Sequence, residues 1–339
     1  MSRSGYESSH RWRVTRPLRA LGRRALRLRA AEIPPAGLAQ ERCDSWLEHL
    51  HGDRLDLIEA ACEAGGAERF ALFRDLDADL WALLLTQEFS VYPHIRSLLP
   101  TVPDPDLQVL WNGASGVQLA AQGAAFYRKV LERFAQAHAG PLSGARVLDF
   151  GCGWGRLTRC FARDVEPGRL FGCDPVQGIL DVGAESGVPA RLARSEFMPD
   201  RLPFDERFDL AFSFSVFTHL SEAAHMCCLR ALHAALAPGG LLVVTVRPPE
   251  YLRFCERMHP LLDALGPDAR ARLKEPRYLF VPHDADPRHP QYDGAEIAYG
   301  EAVVTLPYVR ERWSPLFELL EVDLLIGDLF QVMLTLRRR

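Results

Sequence analysis

The chain has 339 residues, 48% apolar and 25% charged, the profile of a globular protein with room for one large domain or two ordinary ones. No apolar run approaches the roughly 20 residues of a membrane-spanning helix. The net charge of −4 hides an asymmetry: residues 1–31 hold nine arginines against the single acid Glu7, a local +8, so the remainder carries −12.

A basic, flexible arm is expected over 1–35, ending at Pro34-Pro35, and it suits contact with an anionic surface. Broad nucleic-acid binding is not expected, because the body is acidic and phosphate contact needs a cationic face. Eight cysteines, at 43, 62, 152, 160, 173, 227, 228 and 255, form no Cys-x-x-Cys pair, which speaks against a zinc site of that type. No secretory signal precedes them, so reduced thiols in a cytoplasm are expected.

From Leu38 to Leu99 apolar residues recur at helical spacing, broken at Gly65-Gly66 and kinked or ended at Pro93. Pro100, Pro103 and Pro105 mark a connection. Residues 107–138 read as a helix pair interrupted near Asn112-Gly113 and Gly116, so 36–138 is expected to be a helical cap region. Phe126 and Tyr127 lie on one side of its last helix.

At Arg146 the texture changes. Short apolar runs at Val147–Phe150, Leu170–Cys173, Ala190–Ala193, Phe208–Phe214 and Leu241–Val246 predict strands. They alternate with helical patterns starting at Leu157 and covering Val176–Glu185 and Glu222–Leu236, with Pro238-Gly239-Gly240 as a turn. The alternation predicts a parallel sheet covered by helices, in a domain over 139–339 with an insert at about 250–300. Within the insert a helix is expected near Tyr251–Leu265 and a proline-punctuated loop over 282–298. Two final runs, Leu316–Leu325 and Phe330–Leu336, are joined by Gly327-Asp328, which predicts an antiparallel hairpin.

The site signal is Arg146-Val-Leu-Asp-Phe-Gly-Cys-Gly-Trp-Gly-Arg156. Glycine permits a sharp turn and close approach of a ligand to the backbone. A carboxylate just before that turn, Asp149, suits a cationic amine, so the combination fits a nucleotide-like ligand with an amino-acid end, such as S-adenosylmethionine. Asp174, at the end of the next strand, can accept from both ribose hydroxyls of any adenosine ligand. The spacing Gly151-x-Gly153-x-Gly155 differs from the Gly-x-Gly-x-x-Gly of dinucleotide sites, which disfavours an NAD-type oxidoreductase.

Here the chain resembles the class I S-adenosylmethionine-dependent methyltransferases. The matching pieces, in order, are Val147–Arg156, Gly172-Cys-Asp-Pro175, Leu202-Pro-Phe204, Phe208-Asp-Leu210, Ser215-Val-Phe-Thr-His-Leu220 and Leu236-Ala-Pro-Gly-Gly-Leu-Leu242. The resemblance implies a Rossmann-like α/β fold, with a seven-stranded sheet of order 3-2-1-4-5-7-6 and strand 7 antiparallel, here behind a helical N-terminal extension. It implies that Gly151, Gly153 and Gly155 approach the methionine portion, with Asp149 near its amino group. Asp174 matches the ribose acid, Glu196 falls where the family often contacts adenine, and Ser213 and Ser215 end the fourth strand beside the cofactor. The loop Trp111-Asn112-Gly113 and the following helix lie where the family often closes over the cofactor.

On the acceptor side, His219 is the candidate general base, with a helix-capping or packing role as the alternative; Thr218 or Ser221 equally suits the cap. Arg247, Tyr299 and Glu301 are candidate pocket residues. His283, Asp284, Asp286 and His289 gather within seven positions, but their spacing matches no standard ligand motif and no metal is expected. The expected activity is methyl transfer to a small molecule, on the oxygen of a sugar or secondary metabolite. The alternative is a non-catalytic binding module tethered by its basic arm.

Overall fold

Nine strands occur among residues 36–65, 69–284 and 298–339, the part of the chain that the computed structural model describes. They are β1 (Val147–Phe150), β2 (Leu170–Asp174), β3 (Arg191–Arg194), β4 (Phe208–Ser213), β5 (Leu236–Val246), β6 (Tyr278–Pro282), β7 (Gly300–Val304), β8 (Phe317–Leu324) and β9 (Val332–Arg338). Seven of these form one sheet of order β3-β2-β1-β4-β5-β9-β8. The first five are parallel, and β9 runs antiparallel to both β5 and β8. That is the expected order, with the final strand inserted in reverse. The central strands β1, β2 and β4 are apolar almost throughout because helices cover both their faces.

The N-terminal helices are α1 (Ala36–Ala64), α2 (Ala78–Thr86), α3 (Pro93–Leu98), α4 (Pro105–Asn112) and α5 (Gly116–Ala137). Asp104 caps α4 by accepting from the Leu107 amide (2.9 Å), Pro105 opens the helix, and Gly113 closes it at φ 77°. Leu119, Phe126, Tyr127, Val130 and Phe134 make one buried stripe on α5. Phe126 packs edge-on against Phe212 and Phe214, and Tyr127 against Phe161, so both aromatics belong to the core. Side chains of α1 (Leu47), α2 (Trp81) and α5 share this core with β1, β4 and β5 (Val147, Phe212, Val243). Among the described residues no helix is long and apolar enough to cross a membrane.

Three local expectations are corrected. After Gly155 the chain forms a 3-10 helix, Thr158–Arg163, where an α-helix was expected. Tertiary contacts claim its polar groups: Trp81 Nε1 donates to the Cys160 carbonyl (2.9 Å), and its arginine side chains turn inward. The helix expected near Tyr251–Leu265 is split into 3-10 turns at Pro249–Arg253 and Glu256–Met258 and a short helix, α8 (His259–Ala264), which follows α6 (Gln177–Glu185) and α7 (Glu222–Ala235). The insert also contains the antiparallel pair β6–β7, with Val281 opposite Glu301. Gly300 is required there, because a Cβ would run into the Val281 carbonyl. The arm 1–35, Asp286 and His289 lie outside the described residues.

Candidate active site

The three glycines after β1 all adopt left-handed backbone, φ 77° at Gly151, 55° at Gly153 and 78° at Gly155. Each is also closely packed. A Cβ at Gly151 would meet the Val216 side chain; at Gly153 it would lie 2.6 Å from Trp111 Nε1, and at Gly155 2.8 Å from Val188. The turn is therefore specified twice over, by dihedral and by space. Trp111, the penultimate residue of α4, lies against the loop, and Trp154 Nε1 donates to Asn112 Oδ1 (2.9 Å) to fasten that helix end. Trp154 also packs with Leu119 and Ile179. The N-terminal extension thus forms one wall of the glycine loop.

Asp149 and Asp174 end adjacent parallel strands. The Cys173 carbonyl accepts from the amides of Gly151 (2.8 Å) and Cys152 (3.0 Å), which folds the loop back over β2. Asp174 accepts from the amides of Gly153 (3.0 Å) and Val176 (3.0 Å). Asp149 accepts from Thr158 Oγ1 (2.6 Å). Both are buried, and burial pushes Asp149 up to about 7, against the pull of Thr158 and Arg156, and Asp174 up to about 6. Two carboxylates this reluctant to ionise form a site that a cationic ligand would relieve.

The other residues expected beside the cofactor divide. Ser213 is fully buried and donates to the Phe150 carbonyl (2.8 Å), pinning β4 to β1. Ser215 takes a left-handed φ of 60°, rare for a residue with a side chain. Its amide donates to Thr245 Oγ1 (2.8 Å) and its hydroxyl accepts from Gln331 Nε2 (2.6 Å). Glu196 is exposed just beyond β3.

Beyond Ser215 lies a polar cluster. The strand β7 docks onto the segment after β4 through amides of Gly300 to the His219 carbonyl (2.7 Å) and Ala302 to the Thr218 carbonyl (3.0 Å). Ser221, not Thr218, caps α7, accepting from the Ala224 amide (3.3 Å). This docking brings His219, Tyr299 and Glu301 together: Tyr299 stacks on His219 at 4.9 Å. His219 Nδ1 donates to the Gly300 carbonyl (2.8 Å), which leaves Nε2 as an acceptor, and Arg247 Nη2 donates to it (3.2 Å). Burial, then Arg247, hold His219 down to about 3. Arg247 ion-pairs with buried Glu301 and donates to the Thr218 carbonyl (2.9 Å). Tyr251 donates to the same Glu301 oxygen (3.1 Å), and Glu301 Oε1 lies 3.2 Å from His283 Nε2. His219, His283 and Glu301 offer ligand atoms within 4.8 Å of one another, and the Arg247 guanidinium donates to two of the three, His219 and Glu301.

Of the histidine–aspartate loop, His283 joins this cluster while Asp284 pairs outward with Arg257 (3.3 Å). Sequence reasoning did not single out Tyr251, Asp328 or Gln331. Gln331 Nε2 and Gln122 Nε2 both donate to Asp328 Oδ2 (2.7 and 2.9 Å), and Arg247 lies within electrostatic reach of Asp328. In sequence Asp328 is an ordinary turn residue, so nothing there marks it.

The family described as "Methyltransferase domain" matches residues 147–240. The ubiquinone/menaquinone biosynthesis C-methyltransferase UbiE of Pseudomonas paraeruginosa is 35% identical over 125 residues, 34% of this chain and 47% of that protein. A ubiquinone biosynthesis O-methyltransferase of a Methylobacterium species is 34% identical over 105 residues, covering 30% of this chain and 40% of that protein. The chain thus spans less than half the length of these relatives. The solved structure of CalS10, an amino pentose methyltransferase from Micromonospora echinaspora, aligns with 70% of this chain and 98% of that one at 17% identity and a TM-score of 0.45. The matched domain runs from β1 through the glycine loop into β5, on a sheet whose last strand is reversed, and supports a class I S-adenosylmethionine-dependent methyltransferase.

Proposed function

We propose that this chain transfers the methyl group of S-adenosylmethionine to an oxygen of a small polar acceptor, a sugar or related secondary metabolite. The observation that carries the choice of acceptor is the set of fixed polar side chains gathered beyond Ser215. Arg247, Glu301, His219 and Tyr251 come from the β5 and β7 side, and Asp328 and Gln331 from the β8–β9 turn. Gln331 Oε1 is buried with no hydrogen-bond partner among the described residues, an acceptor suited to a ligand donor.

The residues fit the cofactor. Gly151, Gly153 and Gly155 add no side chains of their own to the loop, Asp174 retains lone pairs for two ribose hydroxyls beyond its two backbone donors, and Asp149 suits an ammonium group. Glu196, exposed just beyond β3, suits a contact with the adenine. When bound, the cofactor supplies a methyl group already activated on a sulfonium. The chain's own part is to hold the acceptor oxygen in line, about 3–3.5 Å from that carbon. His219, with both ring nitrogens engaged, serves as wall rather than base in this reading.

Titration calorimetry with S-adenosylhomocysteine tests the proposal. We expect binding by the wild type and a loss of roughly tenfold or more in Gly153→Ala, where left-handed strain and the Trp111 contact together are on the order of 1–3 kcal/mol. Absence of binding by a protein whose circular dichroism is intact would end this reading. Incubation with methyl glycosides, nucleoside diphosphate sugars and catechol, with NMR of the products, then separates O- from C-methylation.

A further inference from the structure

Two histidines border the acceptor side, and the hydrogen bonds around them assign opposite roles. We propose that His283, oriented by the buried carboxylate of Glu301, is the base that receives the acceptor's hydroxyl proton. This rests on the methyltransferase reading above and names a catalytic residue within it.

The argument begins at Glu301. It is 1% exposed, and Arg247 and Tyr251 occupy its Oε2. Burial would raise its carboxyl, but Arg247 and the His283 contact carry it down to about 2, so it is ionised. An ionised carboxylate only accepts, so His283 Nε2, 3.2 Å from Oε1, must carry the hydrogen. In the neutral ring Nδ1 is then the bare lone pair. The His283 amide donates to the Tyr299 carbonyl (3.1 Å), which fixes the residue at the end of β6. Its side chain remains 17% exposed, so the ring is reachable.

His219 lacks these properties. Its donor nitrogen is spent on Gly300 and its acceptor nitrogen on Arg247. The position of the pair also fits. The His283 ring lies 5.3 Å from that of Tyr299, whose hydroxyl burial and Glu301 push upward, with Asp174 contributing as well. Tyr299, which adjoins the dyad, therefore stands within electrostatic range of the carboxylate assigned to the cofactor.

In the reaction the acceptor oxygen forms its bond to the methyl carbon as the carbon–sulfur bond breaks, and that bond's electron pair goes to sulfur. The O–H proton moves to His283 Nδ1, giving an imidazolium paired with Glu301, and leaves from there to water. Among the described residues, the charged and titratable groups facing His283 are Glu301 on β7, Tyr299 before it, His219 after β4, Arg247 and Tyr251 after β5, and the neighbouring Asp284–Arg257 pair.

Nitrogen-15 NMR of imidazole-labelled protein reads the tautomer without any acceptor. The expected result is protonated Nε2 and bare Nδ1 at His283, and the opposite at His219; a His283 hydrogen on Nδ1 overturns the proposal. In the panel above, His283→Ala and His283→Gln should lower kcat on an alcohol roughly 100-fold or more, the scale of general-base catalysis. They should also abolish the acid-limb rise of the wild-type pH profile and leave S-adenosylhomocysteine affinity within about twofold. Retained kcat with the limb intact overturns the assignment, whereas loss of cofactor binding by the wild type would instead defeat the methyltransferase reading.

Discussion

Asp149 and Asp174 show how the proposed binding site is recorded in the cost of burying its acids. A carboxylate normally gains from folding when a partner awaits it. These two are buried at the ends of β1 and β2 with hydroxyl and amide donors but no full positive charge in contact, and burial raises them to about 7 and about 6. Because the folded acids hold protons more tightly than unfolded ones, the protein alone loses stability as pH rises from about 4 through about 7. A ligand bearing an ammonium group favours the ionised pair and so expels protons on binding. The thermal stabilisation by S-adenosylhomocysteine should therefore grow from about pH 5 to about pH 8 and then level off. Scanning calorimetry across that range reads it directly; a shift that is flat or shrinks with pH would mean that the acids do not meet the ligand's charge.

Among the elements, the 3-10 segment Thr158–Arg163 joins the glycine loop to the N-terminal helices. Arg159 is fully buried; it donates to the carbonyls of Gly155 (3.2 Å) and Thr101 (2.7 Å), and its guanidinium lies 4.8 Å from the Trp154 ring centre. Arg163 donates to the carbonyls of Phe73 (3.2 Å) and Leu76 (2.7 Å), and Arg156 to that of Leu119 (3.3 Å). Arg159→Met keeps the bulk but strands the Thr101 carbonyl and takes one of two donors from that of Gly155, a cost on the order of 2–4 kcal/mol. Its melting temperature should fall by roughly 5–15 °C, with weakened cofactor binding because Gly155 loses its support; an unchanged melt would show the contacts to be incidental. The same segment marks where sequence reading stops. Val147–Phe150 and its glycines were legible because a doubly covered strand is a continuous apolar run and a left-handed turn demands glycine locally. The 3-10 geometry was not, since its cause is Trp81 and carbonyls far away in the chain. The β6–β7 pair was missed because no tight turn joins its strands. His219 and His283 looked alike in sequence, and only Arg247 and Glu301 distinguish them.

Across the whole molecule, the helical extension and the sheet share one core, from Leu47 and Trp81 to Phe212 and Val243, so the extension is part of the folded body that carries the site. The charge is divided differently. Residues 1–31 hold +8 while the remaining chain holds −12, and every residue assigned to the cofactor or acceptor lies at Trp111 or beyond. Binding of cofactor and attraction to an anionic surface should therefore be separable properties of one chain. Deleting residues 1–31 should leave S-adenosylhomocysteine affinity within about twofold while abolishing retention on phosphatidylserine vesicles, and that retention should itself weaken as added salt shortens the screening length below about 10 Å. Vesicle flotation paired with calorimetry on the same two proteins measures both. If the shortened chain floats as well as the full one, the acidic body must carry the contact through apolar groups, and the arginines are a solvated tail. If it loses cofactor affinity as well, the arm supports the site, and the separation of charge from function fails.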